Sequence, residues 1–379
     1  MKSVNRRAFR AISLLAAAFV FAFDFSRAPS PAPYPAFEWE TRAAPPVALD
    51  RIEAETRFVS SGSTPMVHGA TALEIESGRI RAFWYGGSRE GAKDVAIYSS
   101  VFDPETESWG AEESVTTREE TARDLGRYIK KLGNPVVARD SRGRLWLFYV
   151  SVSLGGWSGS AVNFRISSDE GASFGPARRI VSSPLSNLGT LVRGPAVRFE
   201  DGTLGLPVYH ELLGKFGELL RLSPEGRVIE KIRMSHGRGS LQPVVVPIGR
   251  REAVAFLRRS GSSPARVLSV ATEDAGRTWT PLAPTELPNP DAAVSALRAS
   301  GGEIVLAFND SEVDRSNLKI AVSRDEGRSF STIRAIDPPE PASELAYPWL
   351  LETSESELHL FYSWNRRKIV HVRFRRSSR

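Results

Sequence analysis

Two arginine-bearing stretches of the sequence have the chemistry to bind an acidic ligand. Arg315 stands directly ahead of the alternating stretch SNLKIAVS, which runs into the turn RDEGRSF, and the pair Arg258 and Arg259 precedes an earlier turn of the same kind. A guanidinium is a planar fork that makes two charge-assisted hydrogen bonds to a carboxylate. For these arginines to act on one ligand, distant parts of the chain must come together around a common axis.

The turn that follows Arg315 recurs along the chain. Three full copies are SSDEGASF, TEDAGRTW and SRDEGRSF, and two weaker copies are FDPETESW and LSPEGRV. They are separated by about 50 to 65 residues, which is the length of one four-stranded propeller blade. The acidic residues that mark the five copies are Asp103, Asp169, Glu225, Asp274 and Asp325. Five markers, with a last sheet that an N-terminal strand can close, predict an all-β, six-bladed β-propeller.

Each of these turns has a structural explanation. The carboxylate accepts hydrogen bonds from backbone N–H groups, the glycine adopts a positive φ, and the aromatic ring packs back between sheets. Short apolar stretches such as RAFWY, LWLFY and LHLFY alternate with the turns and indicate strands. The turns therefore belong to the outer rim of the propeller, and chemistry is expected from loops near its axis.

Asp-box hairpins at this spacing resemble those of the sialidase superfamily, and the similarity is closer to its bacterial and plant branch of BNR-repeat sialidase-like proteins. The similar stretches span most of residues 67–374 and are WYGGSREGAKDVAIY, GNPVVARDSRGRLWLFY, LPNPDAAV, RSNLKIAVSRDEG, AYPWLLET and SWNRRKIVHV. The resemblance implies an arginine triad that clamps the carboxylate of a 2-keto-3-deoxy sugar acid. It also implies an aspartate acid/base and a tyrosine nucleophile polarised by a glutamate, an exception to the usual pair of carboxylates.

The resemblance assigns these roles to particular positions of the sequence. Arg315 corresponds to the third arginine of the triad, and the second lies in FLRRS, where we assign Arg259 and keep Arg258 as the alternative. Tyr347 of AYPWL corresponds to the nucleophile. Asp94, which follows the GGSREG loop, corresponds to the acid/base, and we expect partial shielding from water to raise its pKa.

Other assignments depart from the family's pattern. Arg89 of the GGSREG loop is a further candidate for substrate binding. Where the family has the first arginine of its triad, the sequence has His68, which can still donate one hydrogen bond to an acid. Gln242 of SLQPVV occupies the region of the polarising glutamate, about sixteen residues before the second arginine, and Glu211 of YHELL is the candidate substitute.

Each of these residues also has a purely structural interpretation. Arg315 could be a solvated charge at a strand end, and so could one member of the adjacent pair Arg258 and Arg259. Tyr347 could pack beneath the two residues that follow it, Pro348 and Trp349. Asp94 could be a turn residue after the glycine of its loop. His68 alone indicates nothing, so the assignment depends on the whole set.

Composition argues against several other classes of function. The formal charge is +6, from 50 Lys and Arg against 44 Asp and Glu, without a basic helix or a mixed aromatic and basic module that would indicate nucleic acid. The chain has no cysteine, and its five histidines are too scattered to predict a metal site. No phosphate-binding glycine loop is present, so no cofactor is expected.

The N-terminus indicates export. Lys2 and a cluster of arginines precede an apolar run over residues 11–23, which is the pattern of a signal segment or a short anchor, and NRRAFR resembles a twin-arginine signal. We expect residues 1–27 to be an export signal or membrane anchor, residues 28–47 to be a Pro/Ala-rich tether, and residues 48–379 to form the propeller. Only such an anchor would connect the protein to a membrane.

Three functions agree with the sequence. The first is an exported exo-glycosidase that removes a terminal acidic sugar, sialic acid or a related ulosonic acid such as Kdo, from a glycoconjugate or glycolipid. The second is a propeller polysaccharide lyase that uses tyrosine and histidine on a uronate. The third is a non-catalytic propeller that binds acidic glycans, which the replaced arginine and glutamate favour.

Overall fold

Twenty-six β-strands and one α-helix make up the part of the chain that the computed structural model describes, residues 34–39, 52–183, 187–261 and 264–376. The strands form six antiparallel sheets of four or five strands. Apolar runs such as LWLFYVSV form second strands that are buried on both faces, because each sheet packs between two others. The predicted six-bladed, all-β propeller is confirmed.

The first three blades follow one another along the chain, after the strand Ile52–Phe58 (β1). Blade 1 consists of Met66–Glu74 (β2), Ile80–Gly87 (β3), Ala96–Asp103 (β4), Ser108–Trp109 (β5) and Glu113–Thr116 (β6). Blade 2 consists of Lys131–Arg139 (β7), Leu145–Val152 (β8), Ser160–Ser167 (β9) and Arg178–Arg179 (β10). Blade 3 consists of Thr190–Val192 (β11), Val197–Arg198 (β12), Leu204–His210 (β13), Phe216–Leu222 (β14) and Val228–Arg233 (β15).

The last three blades complete the ring, and the final one is built from both ends of the propeller. Blade 4 consists of Ser240–Pro247 (β16), Ala253–Arg259 (β17), Arg266–Thr272 (β18) and Ala283–Pro288 (β19). Blade 5 consists of Ser295–Arg298 (β20), Ile304–Phe308 (β21), Lys319–Ser323 (β22) and Ser331–Ala335 (β23). Blade 6 consists of Leu345–Glu352 (β24), Leu358–Trp364 (β25) and Lys368–Arg376 (β26), and β1 pairs with β26 as its outermost strand.

The α-helix Arg118–Leu125 (α1) connects blade 1 to blade 2. It begins at a capping box, in which the Thr117 side chain accepts from the Glu120 backbone while the Glu120 side chain accepts from the Thr117 backbone. It ends at Gly126, whose left-handed conformation returns the backbone N–H to the helix carbonyls. The helix thereby delivers the chain from the rim of one blade to the innermost strand of the next.

The Asp-box turns occupy the predicted position, between the third and fourth strands of a blade. In blade 2, Asp169 accepts from the Ser173 backbone at 2.9 Å and pairs with the Ser167 hydroxyl at 2.6 Å. These hydrogen bonds, first that of Ser167, lower the pKa of Asp169 to about 2. The aromatic residue that ends this turn, Phe174, packs edge-on against Phe83 of blade 1 at 6.0 Å. The turns therefore hold neighbouring blades together at the rim.

Residues 36–39, which the sequence places inside the tether, pack against blades 3 and 4. Phe37 is fully buried, its ring lies tilted against that of Phe199 with 5.2 Å between the ring centres, and its N–H donates to the Arg250 carbonyl. Glu38 forms an ion pair with Arg198 at 2.7 Å. The turns that residues 36–39 contact join the first and second strands of their blades. Apart from residues 34–39, residues 1–47 lie outside the described residues, and these include the export segment.

Truncation distinguishes this docked segment from the residues that precede it. A chain that begins at residue 34 should melt at the temperature of the full chain. A chain that begins at residue 46, or Phe37→Ala in the full chain, should melt several degrees lower, because removing a buried phenylalanine costs roughly 3–5 kcal/mol. Equal melting temperatures for all four proteins, measured by calorimetry, would show that the docked residues contribute nothing to stability.

Candidate functional site

The innermost strands of four blades are kinked by a β-bulge at the same level of the propeller. Register shifts interrupt β2, β7, β16 and β24. The bulge residue has a positive φ in each case: 66° at Gly69, 47° at Asn134, 52° at Gln242 and 56° at Tyr347. This conformation is uncommon for residues other than glycine, and bulges redirect side chains near functional sites. The bulges turn three polar side chains toward one another near the axis.

Arg193 of blade 3 holds the Tyr347 bulge in place. Its guanidinium donates to the carbonyls of Tyr347 at 2.8 Å, Pro348 at 3.1 Å and Ala70 at 3.0 Å. Burial lowers the pKa of Arg193 to about 10, which still leaves it charged at neutral pH. It is 2 % exposed and lies 5.1 Å from the centre of the Tyr347 ring. A buried cation therefore supports the tyrosine from below.

A network of amide and phenol side chains, linked by hydrogen bonds, lies beside Tyr347 near the propeller axis. We call the space that these side chains border the pocket. The Gln242 Nε2 is 3.4 Å from the hydroxyls of both Tyr347 and Tyr209, and the Asn134 Nδ2 is 3.2 Å from that of Tyr209. Arg258 donates to the Gln242 Oε1 at 3.3 Å. A guanidinium can only donate, so it fixes the amide with its oxygen toward Arg258 and its N–H groups toward the phenols.

Three guanidiniums, each from a different blade, lie around these amide and phenol side chains. Arg258 donates to the Asp291 carboxylate at 2.6 Å, and Arg315 donates to the backbone carbonyl of the same residue. Glu344 then links two arginines, because it accepts from Arg315 at 3.3 Å and from Arg366 at 2.8 Å. We call Arg258, Arg315 and Arg366 the arginine cluster. Its members come from loops or strand ends on one face of the propeller.

Arg366 also reaches the loop that carries Asp94 and Arg89. Its Nη1 donates to Glu90 at 2.5 Å, so the GGSREG loop of blade 1 is tied to the hairpin of blade 6. Its hydrogen bonds to Glu344 raise the pKa of Arg366 above its ordinary value, which keeps it fully charged. Arg366 thus stands beside the first blade, the part of the propeller where the family's first arginine is replaced.

His68 lies beneath Tyr347 rather than in the pocket. The two rings meet edge to face at 4.5 Å, and His68 is 1 % exposed. Burial, together with the charges of Arg366 and Arg193, holds the pKa of His68 well below its ordinary value. A neutral, covered imidazole supports the tyrosine ring, and this position does not suit the predicted contact with substrate.

Glu211 follows β13 at the edge of the pocket. It is half-buried, and burial raises its pKa, although the charges of Arg258 and Lys215 oppose the rise. In the described part of the chain, its side chain makes no hydrogen bond to Tyr347, whose hydroxyl contacts Gln242 instead. The structure therefore does not show the predicted polarising contact.

Asp94 and Arg89 lie in an exposed loop on the same face. The Asp94 carboxylate accepts from the Ser88 backbone and hydroxyl, each at 2.9 Å. Burial alone would raise the pKa of Asp94, but the hydrogen bonds from Ser88 and the charge of Arg89 together outweigh it, so the pKa is lowered. The expectation of a raised pKa is wrong: the loop leaves Asp94 in water. In this arrangement its carboxyl group is ionised at neutral pH.

The choice within the arginine pair is the other difference between expectation and structure. Neighbouring residues of a strand point to opposite faces, and it is Arg258 that contacts Gln242 and Asp291. The Arg259 Nε is buried without a hydrogen-bond partner. The spacing of sixteen residues from Gln242 selects Arg258, so the signal was present in the sequence. Three residues of the site, Arg366, Asp291 and Glu344, were not assigned from the sequence. They lie in or beside SWNRRKIVHV, LPNPDAAV and AYPWLLET, the stretches that resemble the family, and within these stretches only Tyr347 was assigned a role.

A family model, that of the BNR repeat-like domain, matches residues 78–360. The chain belongs to the BNR repeat-like family. No curated protein matches the sequence significantly. Several solved structures share the fold at low sequence identity.

Three of these structures illustrate the range of this BNR repeat-like fold. A protein of unknown function from Dyadobacter fermentans is 13% identical, with a TM-score of 0.71 over 86% of this chain and 99% of that one. The Ruminococcus gnavus intramolecular trans-sialidase is 12% identical, with a TM-score of 0.66 over 84% of this chain and 96% of that one. The NanB sialidase of Streptococcus pneumoniae is 11% identical, with a TM-score of 0.66 over 93% and 72%. These likenesses establish the sialidase fold.

The described residues contain no group of three or more His, Asp or Glu side chains placed to hold a metal ion. Among the same residues, no helix is long and apolar enough to cross a membrane.

Substituting each arginine of the pair tests which one belongs to this BNR repeat-like site. Arg258→Ala should weaken binding of a free sugar acid by roughly 2–5 kcal/mol, because it leaves buried acidic and amide groups unpaired. Arg259→Ala, the matched control one residue away, should leave the affinity unchanged. Calorimetric titration with sialic acid and Kdo measures both. A larger loss with Arg259→Ala would return the role to the residue assigned from the sequence.

Proposed function

We propose that the protein is an exported exo-glycosidase that removes a terminal acidic sugar, a 2-keto-3-deoxy sugar acid such as sialic acid or Kdo, from a glycoconjugate. The observation that carries the proposal is the arginine cluster beside Tyr347, whose strained backbone is held by Arg193. A carboxylate next to the anomeric carbon distinguishes these sugars from neutral ones. The part of the proposal that concerns export is supported by the N-terminal sequence, and fractionation of cells that produce the full chain tests it.

The arginine cluster is built to receive an acid from solvent. Asp291 and Glu344 orient the guanidiniums, and the five N–H groups of each arginine exceed the bonds that these carboxylates accept. With Arg193 beneath, the site holds four arginines and three paired carboxylates, those of Asp291, Glu344 and Glu90. Glu211, whose pKa is raised, carries less negative charge than an ordinary carboxyl group, so an excess of positive charge remains and favours an anion. The carboxylate of a sugar acid would bind in the middle of the cluster through charge-assisted hydrogen bonds.

Glu211 is the residue best suited to protonate the leaving group. Its raised pKa keeps a proton available nearer to neutral pH than an exposed carboxyl does, and it lies within electrostatic reach of Arg258 and Tyr209. Asp94 has the opposite properties in this arrangement. We therefore assign the acid/base role to Glu211 of blade 3, whereas the position that the family resemblance implies lies in blade 1.

We assign the attack on the anomeric carbon to Tyr347, and Gln242 limits how this residue can react. A carboxylate at position 242 would accept the phenolic proton as the oxygen attacks. The Gln242 Oε1 instead accepts from Arg258, and the Nε2 that faces the phenol carries only donors. We expect slow turnover, limited by removal of this proton.

Gln242 also favours a second candidate, a propeller that binds acidic glycans without cleaving them. Such a protein would need the arginine cluster and could dispense with a base for the tyrosine. A lyase has less support, because His68 is covered by Tyr347 and cannot reach a substrate. Hydrolysis of a sugar-acid glycoside separates the two remaining functions.

The decisive assay measures release of 4-methylumbelliferone from sialic acid and Kdo glycosides by the protein, Tyr347→Phe and Gln242→Glu. The protein should release it slowly, and Tyr347→Phe should abolish release while the substrate still binds. Gln242→Glu should raise kcat by roughly tenfold or more, since it supplies a proton acceptor. Gln242→Leu is the matched control and should gain nothing. Binding without release by every variant would support the non-catalytic function.

The pH profile tests the acid. A carboxyl group with a raised pKa acts as an acid below that pKa, so kcat should fall as the pH rises through it. Glu211→Gln should remove this limb and slow cleavage of sugar-linked substrates by roughly 10²–10⁴-fold, with a smaller effect on the aryl glycoside, whose leaving group needs no proton. Asp94→Asn is the comparison. If that variant alone removes the limb, the acid is Asp94 instead.

A further inference from the structure

One sector of the pocket's rim exposes an unusual concentration of apolar side chains. In the described part of the chain nine large apolar residues are exposed, and five of them lie on four successive loops of blades 2 and 3. These five are Tyr128, Leu154, Leu188, Leu212 and Leu213, and the two most exposed are Leu213 at 79 % and Leu154 at 78 %. Single exposed apolar residues are ordinary, whereas a group of them on one surface marks an interaction site.

Hydrogen bonds to backbone carbonyls join these loops into one surface. The Lys130 Nζ donates to the Gly155 carbonyl at 3.2 Å, which connects the loop of Tyr128 with that of Leu154. The Gly189 N–H donates to the Ser160 carbonyl at 2.8 Å, and the Glu211 N–H donates to the Gly189 carbonyl at 3.1 Å. We call residues 126–131, 153–159, 187–189 and 211–215 the apolar rim.

The apolar rim borders the proposed pocket directly. Glu211 immediately precedes Leu212 and Leu213, so one short loop carries both the proposed acid and two exposed leucines. Lys131, whose ammonium lies 3.9 Å from the centre of the Trp157 ring, is within electrostatic reach of Glu211. All four loops lie on the face of the arginine cluster, since they join second to third strands or lead into innermost strands.

The charges of the rim are mostly positive. Its first loop, GRYIKK, contains Arg127 and Lys130, both exposed, and no acid. The second and third loops carry no charge, and in the fourth Lys215 accompanies Glu211. Just before the first loop, Asp124 is held by Arg165 at 2.6 Å. Exposed leucines with neighbouring cations are the combination that binds the surface of an anionic bilayer.

We propose that the apolar rim docks the open face of the propeller on a bilayer that contains anionic lipids. Leu154, Leu212 and Leu213 enter the boundary between headgroups and acyl chains, and Arg127 and Lys130 contact lipid phosphates. The pocket then lies against headgroups that carry sugars. The docking stands on its own observations, but its use for cleavage of a membrane-borne acidic sugar rests on the proposed function.

The absence of cysteine allows a direct test in the full chain. Leu213→Cys and Leu154→Cys are each labelled with an environment-sensitive fluorophore and mixed with vesicles of phosphatidylglycerol and phosphatidylcholine. Both labels should shift to the blue with these vesicles, and much less with phosphatidylcholine alone or at high salt. The matched control is Ile229→Cys, a residue 53 % exposed on the outermost strand of the same blade as Leu213, and it should not shift.

Further variants identify the contacts. Leu212→Ser with Leu213→Ser should abolish the shift of the label at position 154, and Arg127→Glu with Lys130→Glu should weaken vesicle binding about tenfold or more at low salt. No shift at the rim, or the same shift at position 229, would overturn the proposal. A shift that grows with protein concentration without vesicles would show that a second copy of the chain covers the rim instead, which would also overturn it.

The leucine variants separate this proposal from that of the catalytic function. They should cleave the soluble methylumbelliferyl substrates as well as the parent chain does, because no rim leucine belongs to the pocket. A failure of docking would leave that activity intact. A failure of the glycosidase proposal would leave the fluorescence shift intact.

Discussion

The antiparallel pairing of β1 with β26 is the constraint on which the rest of the structure depends. It completes blade 6 from both ends of the propeller and so closes the ring between blade 6 and blade 1. Tyr347, Glu344 and Arg366 belong to blade 6, whereas Glu90 and His68 belong to blade 1. The pocket forms only when the blades are closed into a ring. It therefore also depends on β1, the strand that precedes the first blade.

The centre of the ring concentrates features that are unfavourable for folding. Arg193 is a buried cation held by three carbonyls, and three non-glycine residues at the bulges adopt a left-handed backbone. Strain and buried charge of this kind persist where the surrounding structure enforces them, and they mark functional sites. Here the apolar layers between blades, which include fully buried Trp84 and Trp146, supply that enforcement.

The fold could be predicted from the periodic turns along the chain. The site could be predicted only in part, because it depends on the directions and contacts of individual side chains. The turn repeat gives the number of blades because each Asp-box acts locally, through its own serine and glycine. Arg258 and Arg259 differ only in the direction in which a strand turns each side chain, which the family match alone did not decide. Arg366 reaches blade 1 across the closure of the ring, a contact without any local signal. The pKa of Asp94 depends on Ser88 hydrogen bonds that residue types do not reveal.

The docked segment at Phe37 distinguishes one face of the propeller from the other. It packs on the turns between first and second strands, such as that at Phe199, while the arginine cluster lies at the other ends of those strands. The chain therefore enters the propeller on one face and the pocket opens on the opposite one. A surface or partner that holds the propeller by the face of Phe37 therefore leaves the pocket open on the other side, toward a second surface across a gap.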